Sequence, residues 1–446
     1  MSQKQQYFEK VRELFPALRA DLESLVRIPS VSAPAFDQTH MDTSAQAVAQ
    51  LFRAEGIDDV RVVTSGGSKP AIIARIPAPE GQPTILLYAH HDVQPPGDAS
   101  EWESEPFEPT ERNGRLYGRG AADDKAGIIA HLGALRVLGN DLGIGVTVFI
   151  EGEEEIGSPY FTQFLNEFHE DLRADAIVVA DSANWKVGVP ALTTSLRGLV
   201  DCVVDVEVLS HAVHSGLFGG PVLDSLTVLS RLIATLHDEN GDVAVAGLVH
   251  GPQPTVDYDE AELRADAGVL DSVTLAGTGP LTARLWTKPA LSVIGIDAPT
   301  VALSSNTIVP KASAKLSLRI APGQDPQAAL DALRNHLVTH APFGARITVH
   351  DGELGQAFFA GEDTPAMVTA RAAFAEAWGV ESVDIGIGGS IPFIADLREA
   401  FPDAEILVTG VEDPDSRAHG ANESVDLQEL HKVVLAEALL LDGLRK

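Results

Sequence analysis

The sequence of 446 residues contains one cysteine, Cys202. That excludes an intrachain disulfide and any metal site built from cysteines, and such usage fits a reducing, cytoplasmic setting. Basic residues are also scarce: 32 Lys and Arg stand against 64 Asp and Glu, a formal net charge of −32. Nucleic-acid binding needs a basic footprint, and an anionic membrane surface attracts only basic segments. Both drop out as partners. No apolar run reaches the roughly 18 residues of a membrane-spanning helix. The opening stretch carries Lys4, Glu9, Lys10, Arg12 and Glu13 where a targeting signal would have an apolar core, so the chain reads as soluble and cytoplasmic. Internal repeats and low-complexity tracts are lacking too. What is there, 45% hydrophobic and 22% charged residues, is globular in composition and rules out disordered or fibrous classes. The length suggests two or more folding units of about 100–200 residues each.

Three apolar, β-branched runs read as strands covered on both faces, and each leads into a polar residue able to bind a metal. Thr84–Ala89 runs into His90-His91-Asp92, Val146–Ile150 into Glu151-Gly152-Glu153-Glu154-Glu155, and Ala176–Ala180 into Asp181. A fourth, Glu405–Thr409, precedes a loop holding His419. Helical patterns lie between and after them, with Ile128, Leu132 and Leu135 on one face of Lys125–Leu138, and a similar pattern over Thr364–Trp378. Alternating strands and helices imply an α/β sandwich with a mixed, mostly parallel sheet. From about Arg197 the order becomes β-α-β-β-α-β, the split βαβ arrangement of a ferredoxin-like α+β domain. Its elements are a strand at Leu199–Val208, a helix near Leu223–Leu236, strands at Leu291–Ile296 and Ala314–Ile320, a helix at Pro326–Leu337 and a strand at Ala345–His350. Gly241–Pro289 reads as loop, with room for further strands. The α/β pattern resumes near Phe359. The expected organisation is a catalytic domain over 1–196 and 359–446, interrupted by an inserted lid or dimerisation domain at 197–358.

Open α/β sheets bind ligands beyond the carboxyl ends of their strands, where His90, Glu154, Glu155, Asp181 and His419 fall; Asp123 stands just before a helix start. Imidazole and carboxylate are the ligands expected for zinc or manganese when cysteine is missing, and two neighbouring ions can share a carboxylate. Each residue alone has an ordinary reading. A strand-end histidine is often a satisfied surface group, Asp123 and Asp124 fit helix caps, and Glu153-Glu154-Glu155 fits a solvated acidic loop. Together they carry more weight, because acids crowded at the end of a buried strand repel unless a cation compensates. Competing motifs fail. Gly118-Arg119-Gly120 lacks the third glycine of a dinucleotide loop, Gly388–Pro392 lacks the glycine after serine of a nucleophile elbow, and His211 and His214 do not form HExxH.

Three segments, Tyr88-Ala-His90-His-Asp92-Val-Gln-Pro95, Gly118-Arg-Gly-Ala-Ala-Asp123-Asp-Lys-Ala-Gly127 and Glu151-Gly-Glu-Glu154-Glu155-Ile-Gly-Ser158, resemble the co-catalytic-metal peptidases of the M20 family, and within it the dipeptidase (carnosinase-like) branch. The likeness continues in order through Ser210–Gly220, Ser304–Pro310, Gly388–Pro392 and the His419 loop. It implies that His90 and Asp181 bind one divalent ion, Glu155 and His419 a second, and Asp123 both. It further implies zinc, with manganese the alternative. Asp92 would orient the His90 imidazole, and Glu154 would serve as general base and acid. His214 would polarise the scissile carbonyl from the partner subunit of a homodimer. Asn306, Arg319 and Ser390 would hold the terminal carboxylate of a small peptide, and the Asp123–Asp124 peptide would be cis.

Two of these residues have independent support in the pattern. Arg319 falls on the polar side of an alternating strand with Lys315 and Ser317. Ser390 before Ile391-Pro392 suits a helix N-terminus, where carboxylates bind. The implied chemistry is hydrolysis of short peptides bearing a free C-terminal carboxylate by a metal-bridged water, with Glu154 shuttling the proton. The same resemblance implies an aminopeptidase or dipeptidase from Asp at position 181, where carboxypeptidase-like and deacylating members more commonly have Glu. Two rivals are an N-acyl-amino-acid amidohydrolase and a catalytically inactive binding protein on the same fold.

Overall fold

The computed structural model describes residues 3–361, 363–389 and 392–446. The chain divides into two units: a larger one of the residues up to Thr193 with Ala360–Asp384 and Phe393–Lys446, and a smaller one of Thr194–Phe359 with Ile385–Pro392.

Six strands form the main sheet of the larger unit: β1 (Asp59–Val63), β2 (Ala71–Ile76), β3 (Thr84–His90), β4 (Gly145–Glu151), β5 (Ala176–Val179) and β6 (Glu405–Val408). Their order across the sheet is β1-β2-β4-β3-β5-β6. The pairs β4–β3, β3–β5 and β5–β6 are parallel, while β1 and β2 add antiparallel strands at one side. The apolar runs explain this division. Every residue of β4 and β5 is buried, as expected of parallel strands covered on both faces. Four parallel neighbours place the carboxyl ends of β4, β3, β5 and β6 along one edge, with His90 opposite Glu151 and Tyr88 opposite Val179.

Helices α1 (Gln3–Val26), α2 (Thr39–Ala54), α3 (Lys125–Leu138), α4 (Pro365–Trp378) and α5 (Leu427–Gly443) belong to the same unit. The sequence pattern suggested one apolar face for α3, yet every residue of it except Arg136 is buried, because α3 lies between β3 and the outer helices α1 and α5. Local signals set the helix ends. Asp426 caps α5 by accepting from Gln428 N and Glu429 N, a contact worth about 1 kcal/mol. Thr364 caps α4, which ends at Gly379 with φ 74°. Buried His131 fastens the layers together, its ring nitrogens lying 2.7 Å from Glu437 Oε1 on α5 and 3.0 Å from Tyr88 O on β3.

The smaller unit carries a four-stranded antiparallel sheet in the order Ala290–Asp297, Lys311–Ile320, Gly198–Glu207, Arg346–Gly355. With the helices Ser225–Ala234 and Pro326–Thr339 this is the ferredoxin-like α+β arrangement. One apolar core joins Val200, Cys202, Val204, Val228, Leu232, Leu316, Leu318, Leu330 and Leu333. The stretch 241–289 departs from expectation. It forms two short helices, Glu260–Asp266 and Leu281–Trp286, and no strand among the described residues; its Asp, Gly and Pro content favours capped turns over pleated backbone, with Asp259 capping the first of the two.

Candidate metal centre

Two clusters of ligand atoms form at the carboxyl edge of the larger sheet. In each, one atom from every member lies within 4.8 Å of the others: His90, Asp123 and Asp181 in the first, Asp123, Glu155 and His419 in the second. Asp123 divides its oxygens between them. Its Oδ1 is 3.1 Å from His90 Nε2, and its Oδ2 is 3.0 Å from His419 Nε2. His419 Nε2 is also 3.2 Å from Glu155 Oε2, and His90 Nε2 is 3.8 Å from Asp181 Oδ1. The sequence-derived ligands therefore gather at one place, with a carboxylate common to both groups.

The backbone explains how residues so distant in sequence meet. His90 ends β3, Asp181 stands two residues past β5, and Glu155 lies in a single turn after β4. Asp92, wholly buried, joins two of these segments. Its Oδ1 is 3.4 Å from His90 Nδ1, and its carboxylate accepts from Glu154 N at 3.2 Å and Glu155 N at 3.0 Å. The nearer partner of His90 Nδ1 is the Asp92 backbone carbonyl at 3.1 Å, while the carboxylate holds the turn bearing both glutamates. Gln94 fixes Glu155 further, its backbone N and side-chain Nε2 donating to the two carboxylate oxygens at 3.0 and 2.8 Å. The acidic run is not a solvated loop. Glu153 is buried and accepts from Lys69 N and Tyr160 N.

Nor does Asp124 act as a helix cap: its side chain makes no capping bond to α3. Instead Oδ2 accepts from His90 N at 3.1 Å, and the Asp123–Asp124 peptide is cis. Gly127 leaves room for this carboxyl, since a Cβ there would lie 2.2 Å from Asp124 Oδ1 and 2.7 Å from Ala180 O. Gly127→Ala is therefore expected to destabilise the protein by about 1–3 kcal/mol, the usual range for overpacking, read as a lower denaturant midpoint at unchanged slope.

Electrostatics mark the edge as a place for positive charge. Contacts with Asp123 and Glu155 push His419 up to about 11, against its partial burial. Burial works against a charged His90, yet its contacts with Asp123, Asp181 and Asp92 carry it well above the imidazole range. Burial and the charge of Asp181 push Glu154 well above the usual carboxylate range, and burial with Asp123 raises Glu155. Glu412, in the loop after β6, is driven well up by burial and by Asp123 and Asp181. Two imidazoles and several carboxylates converging in this way make a nitrogen- and oxygen-rich donor set, which fits divalent ions of the zinc and manganese type.

Three further expected residues, His214, Asn306 and Arg319, lie in the smaller unit. His214 is exposed and pairs through its backbone with Thr307. Its Nδ1 accepts from Gly216 N at 3.0 Å, which leaves the ring proton on Nε2, free to donate. Asn306 is its neighbour, with its carbonyl accepting from Ser215 N at 3.0 Å. Arg319 is half-buried on its strand, and among the described residues it forms no ion pair. Beside it stands buried Arg197, whose guanidinium is lowered to about 10 by burial and the charge of Arg319. Ser390 lies outside the described residues.

Sequence reasoning passed over Gln94, Arg119, Glu412 and Glu423. Gln94 and Arg119 sit inside recognised motif segments, where their positions were a usable signal. The two glutamates had none beyond lying near His419.

Comparison with known proteins places these features among relatives. Residues 86–442 match the family described as Peptidase family M20/M25/M40. The chain is 36% identical over 417 residues to the cysteinylglycine-S-conjugate dipeptidase of Corynebacterium striatum, covering 92% of this chain and 91% of that protein. It is 26% identical over 456 residues to the Cys-Gly metallodipeptidase of Saccharomyces cerevisiae, covering 94% of each. Among solved structures, human carnosine dipeptidase 1 superposes with a TM-score of 0.75 at 24% identity, over 100% of this chain and 99% of that one.

Proposed function

The chain belongs to peptidase family M20/M25/M40, and on that premise we propose that it is a metal-dependent dipeptidase acting on short peptides with a free C-terminal carboxylate. One observation carries the reading: the Asp123 carboxylate lies between two ligand clusters, one oxygen turned to His90 and the other to His419. His90 and Asp181 would hold one ion, Glu155 and His419 the other, and Asp123 both. Zinc is the metal proposed, with manganese compatible with the same donors. Bound there, a pair of divalent ions lowers the pKa of a water from 15.7 towards about 7 and polarises a carbonyl.

The protein's own groups supply the rest. Glu154 reaches the same buried edge through its turn, beside Glu155 and facing Asp181, where a carboxylate would serve as general base. It takes the proton from the attacking water as the carbon–oxygen bond forms, then delivers it to the amine nitrogen as the carbon–nitrogen bond breaks. His214, its ring proton on Nε2, would donate to the oxyanion in the partner subunit of a homodimer. Such a donor is worth about 3–4 kcal/mol in other hydrolases. Arg319, with a second guanidinium beside it and no acid paired to it among the described residues, suits a terminal carboxylate, and Asn306 and Ser390 would complete that subsite.

A homodimer formed through the smaller unit is part of the proposal. Its edge strand Ala290–Asp297 exposes Ile294 and Ile296, and Val301 and Leu303 follow, both largely exposed. Such an apolar edge suits a second copy of the chain. No described helix is long and apolar enough to cross a membrane. A cytoplasmic location is proposed from the single cysteine.

The test compares unblocked dipeptides with N-acetyl amino acids as substrates, before and after removal of metal by a chelator. Dipeptides are expected to be hydrolysed with the higher kcat/KM. Chelation should abolish turnover, and Zn²⁺ or Mn²⁺ should restore it. Preference for the acyl substrates would make the chain an aminoacylase, and full activity after chelation would end the metal reading.

A further inference from the structure

Behind the ligand clusters lies a buried ion pair that contacts none of the ligand atoms. Arg119 and Glu423 are 2% and 0% exposed, and Arg119 Nη1 donates to Glu423 Oε2 at 2.6 Å. The same Oε2 accepts from Gly120 N at 3.0 Å, while Oε1 accepts from Ala122 N at 2.9 Å and Asp123 N at 3.1 Å. The backbone from Gly120 to Asp123 is therefore curled around one carboxylate, as amide nests curl around anions. Gly120 permits the curl with φ 80°. The other arm of Arg119 holds the second cluster: Nη2 donates to His419 O and Gly420 O, both at 3.1 Å. His419 itself adopts φ 63°, uncommon for a residue with a side chain.

We propose that Arg119 and Glu423 are positioning residues which together set the separation of Asp123 and His419, and so the ability of both clusters to take their ions. Glu423 dictates where the Asp123 backbone sits, and Arg119 dictates where the His419 backbone sits. Their mutual bond joins the two settings. No other group among the described residues hydrogen-bonds to both the Asp123 backbone curl and the His419 carbonyl. Buried pairs of this kind leave an uncompensated charge when one partner is removed, so the pair acts as a unit. Groups that orient metal ligands without touching the ion alter metal affinity by about 10–100-fold when replaced.

This inference rests on the dinuclear reading above, and its test separates the two. Metal-stripped wild-type protein, Glu423→Gln and Arg119→Lys are each titrated with Zn²⁺ against a chromophoric chelator, and thermal unfolding of the stripped proteins is followed in parallel. Glu423→Gln keeps the shape but loses the charge that gathers the three amides. Arg119→Lys keeps the charge but loses the second arm to His419 and Gly420. The expected result is two ions on the wild type and a 10–100-fold weaker affinity in both variants. With metal in excess, the KM for a dipeptide should be unchanged within about twofold, because both side chains are buried, while kcat falls. If the stripped variants only melt earlier and their folded fraction binds zinc as tightly as wild type, the pair is merely structural and the proposal is overturned. Should Glu423→Gln fail to fold, Arg119→Lys decides alone. A wild type that takes up fewer than two ions overturns the dinuclear reading itself.

Discussion

Glu154→Gln is expected to lower kcat by about 10²–10⁴-fold, the share general acid–base catalysis usually supplies, while two metal ions stay bound. The substitution is nearly isosteric, and the turn that carries it is held by backbone bonds from Glu154 N and Glu155 N to Asp92, so the ligand clusters have no reason to move. An amide cannot accept the proton of an attacking water at neutral pH. KM should change little, because the change bears on the transition state and not on ground-state binding. Metal analysis alongside steady-state kinetics checks this. Near-wild-type turnover in a variant holding both ions would remove Glu154 from the mechanism.

The second large effect concerns Asp123. Replacement by Asn should reduce the bound metal from two ions to one or none and depress activity at least about 10³-fold. Metal ions in hydrolases supply several kcal/mol of transition-state stabilisation, and each 1.36 kcal/mol is a factor of ten. The asymmetry with Asp181 makes this specific. Asp181 belongs to the His90 cluster alone, whereas Asp123 belongs to both. Asp181→Asn should accordingly leave one ion in place where Asp123→Asn disturbs the pair. Inductively coupled plasma measurement of metal per chain distinguishes these outcomes; two ions retained in Asp123→Asn would refute the shared-carboxylate arrangement.

Much of the fold was legible because its strands are apolar on both faces. The runs at 84–89, 146–150 and 176–180 have few alternatives in a globular chain, and the α/β alternation around them constrains the sheet. The neighbourhood of the candidate ligands was readable for the same reason: parallel strands put their carboxyl ends together, so His90, the Glu154-Glu155 pair and Asp181 were expected at a common edge, and only the family resemblance singled out Glu155 from its neighbour. What escaped was set by contacts far apart in sequence. The bonds of Asp124 to His90, Gln94 to Glu155 and Glu423 to Asp123 join segments 34, 61 and 300 residues apart, and no local pattern encodes them. Asp124 was misleading in its own way, since an aspartate ahead of a helix ordinarily caps it, and here a competing donor, His90 N, takes the carboxylate. The short helices within 241–289 were hidden because neither is long enough to display a helical period.

The division of the larger unit into separated stretches of chain has a consequence for biosynthesis. A ribosome delivers His90, Asp123, Glu155 and Asp181 early, then the whole smaller unit, and only afterwards His419, Glu423 and helix α5. The smaller unit keeps its apolar core within one nearly continuous stretch and can fold as it emerges. The larger unit must wait with its sheet lacking β6 and its helical layer lacking α5. The second ligand cluster cannot close in that interval. Completion of a site built in this way follows synthesis of the smaller unit, and the nascent chain passes through a stage in which His90, Asp123, Glu155 and Asp181 stand without His419.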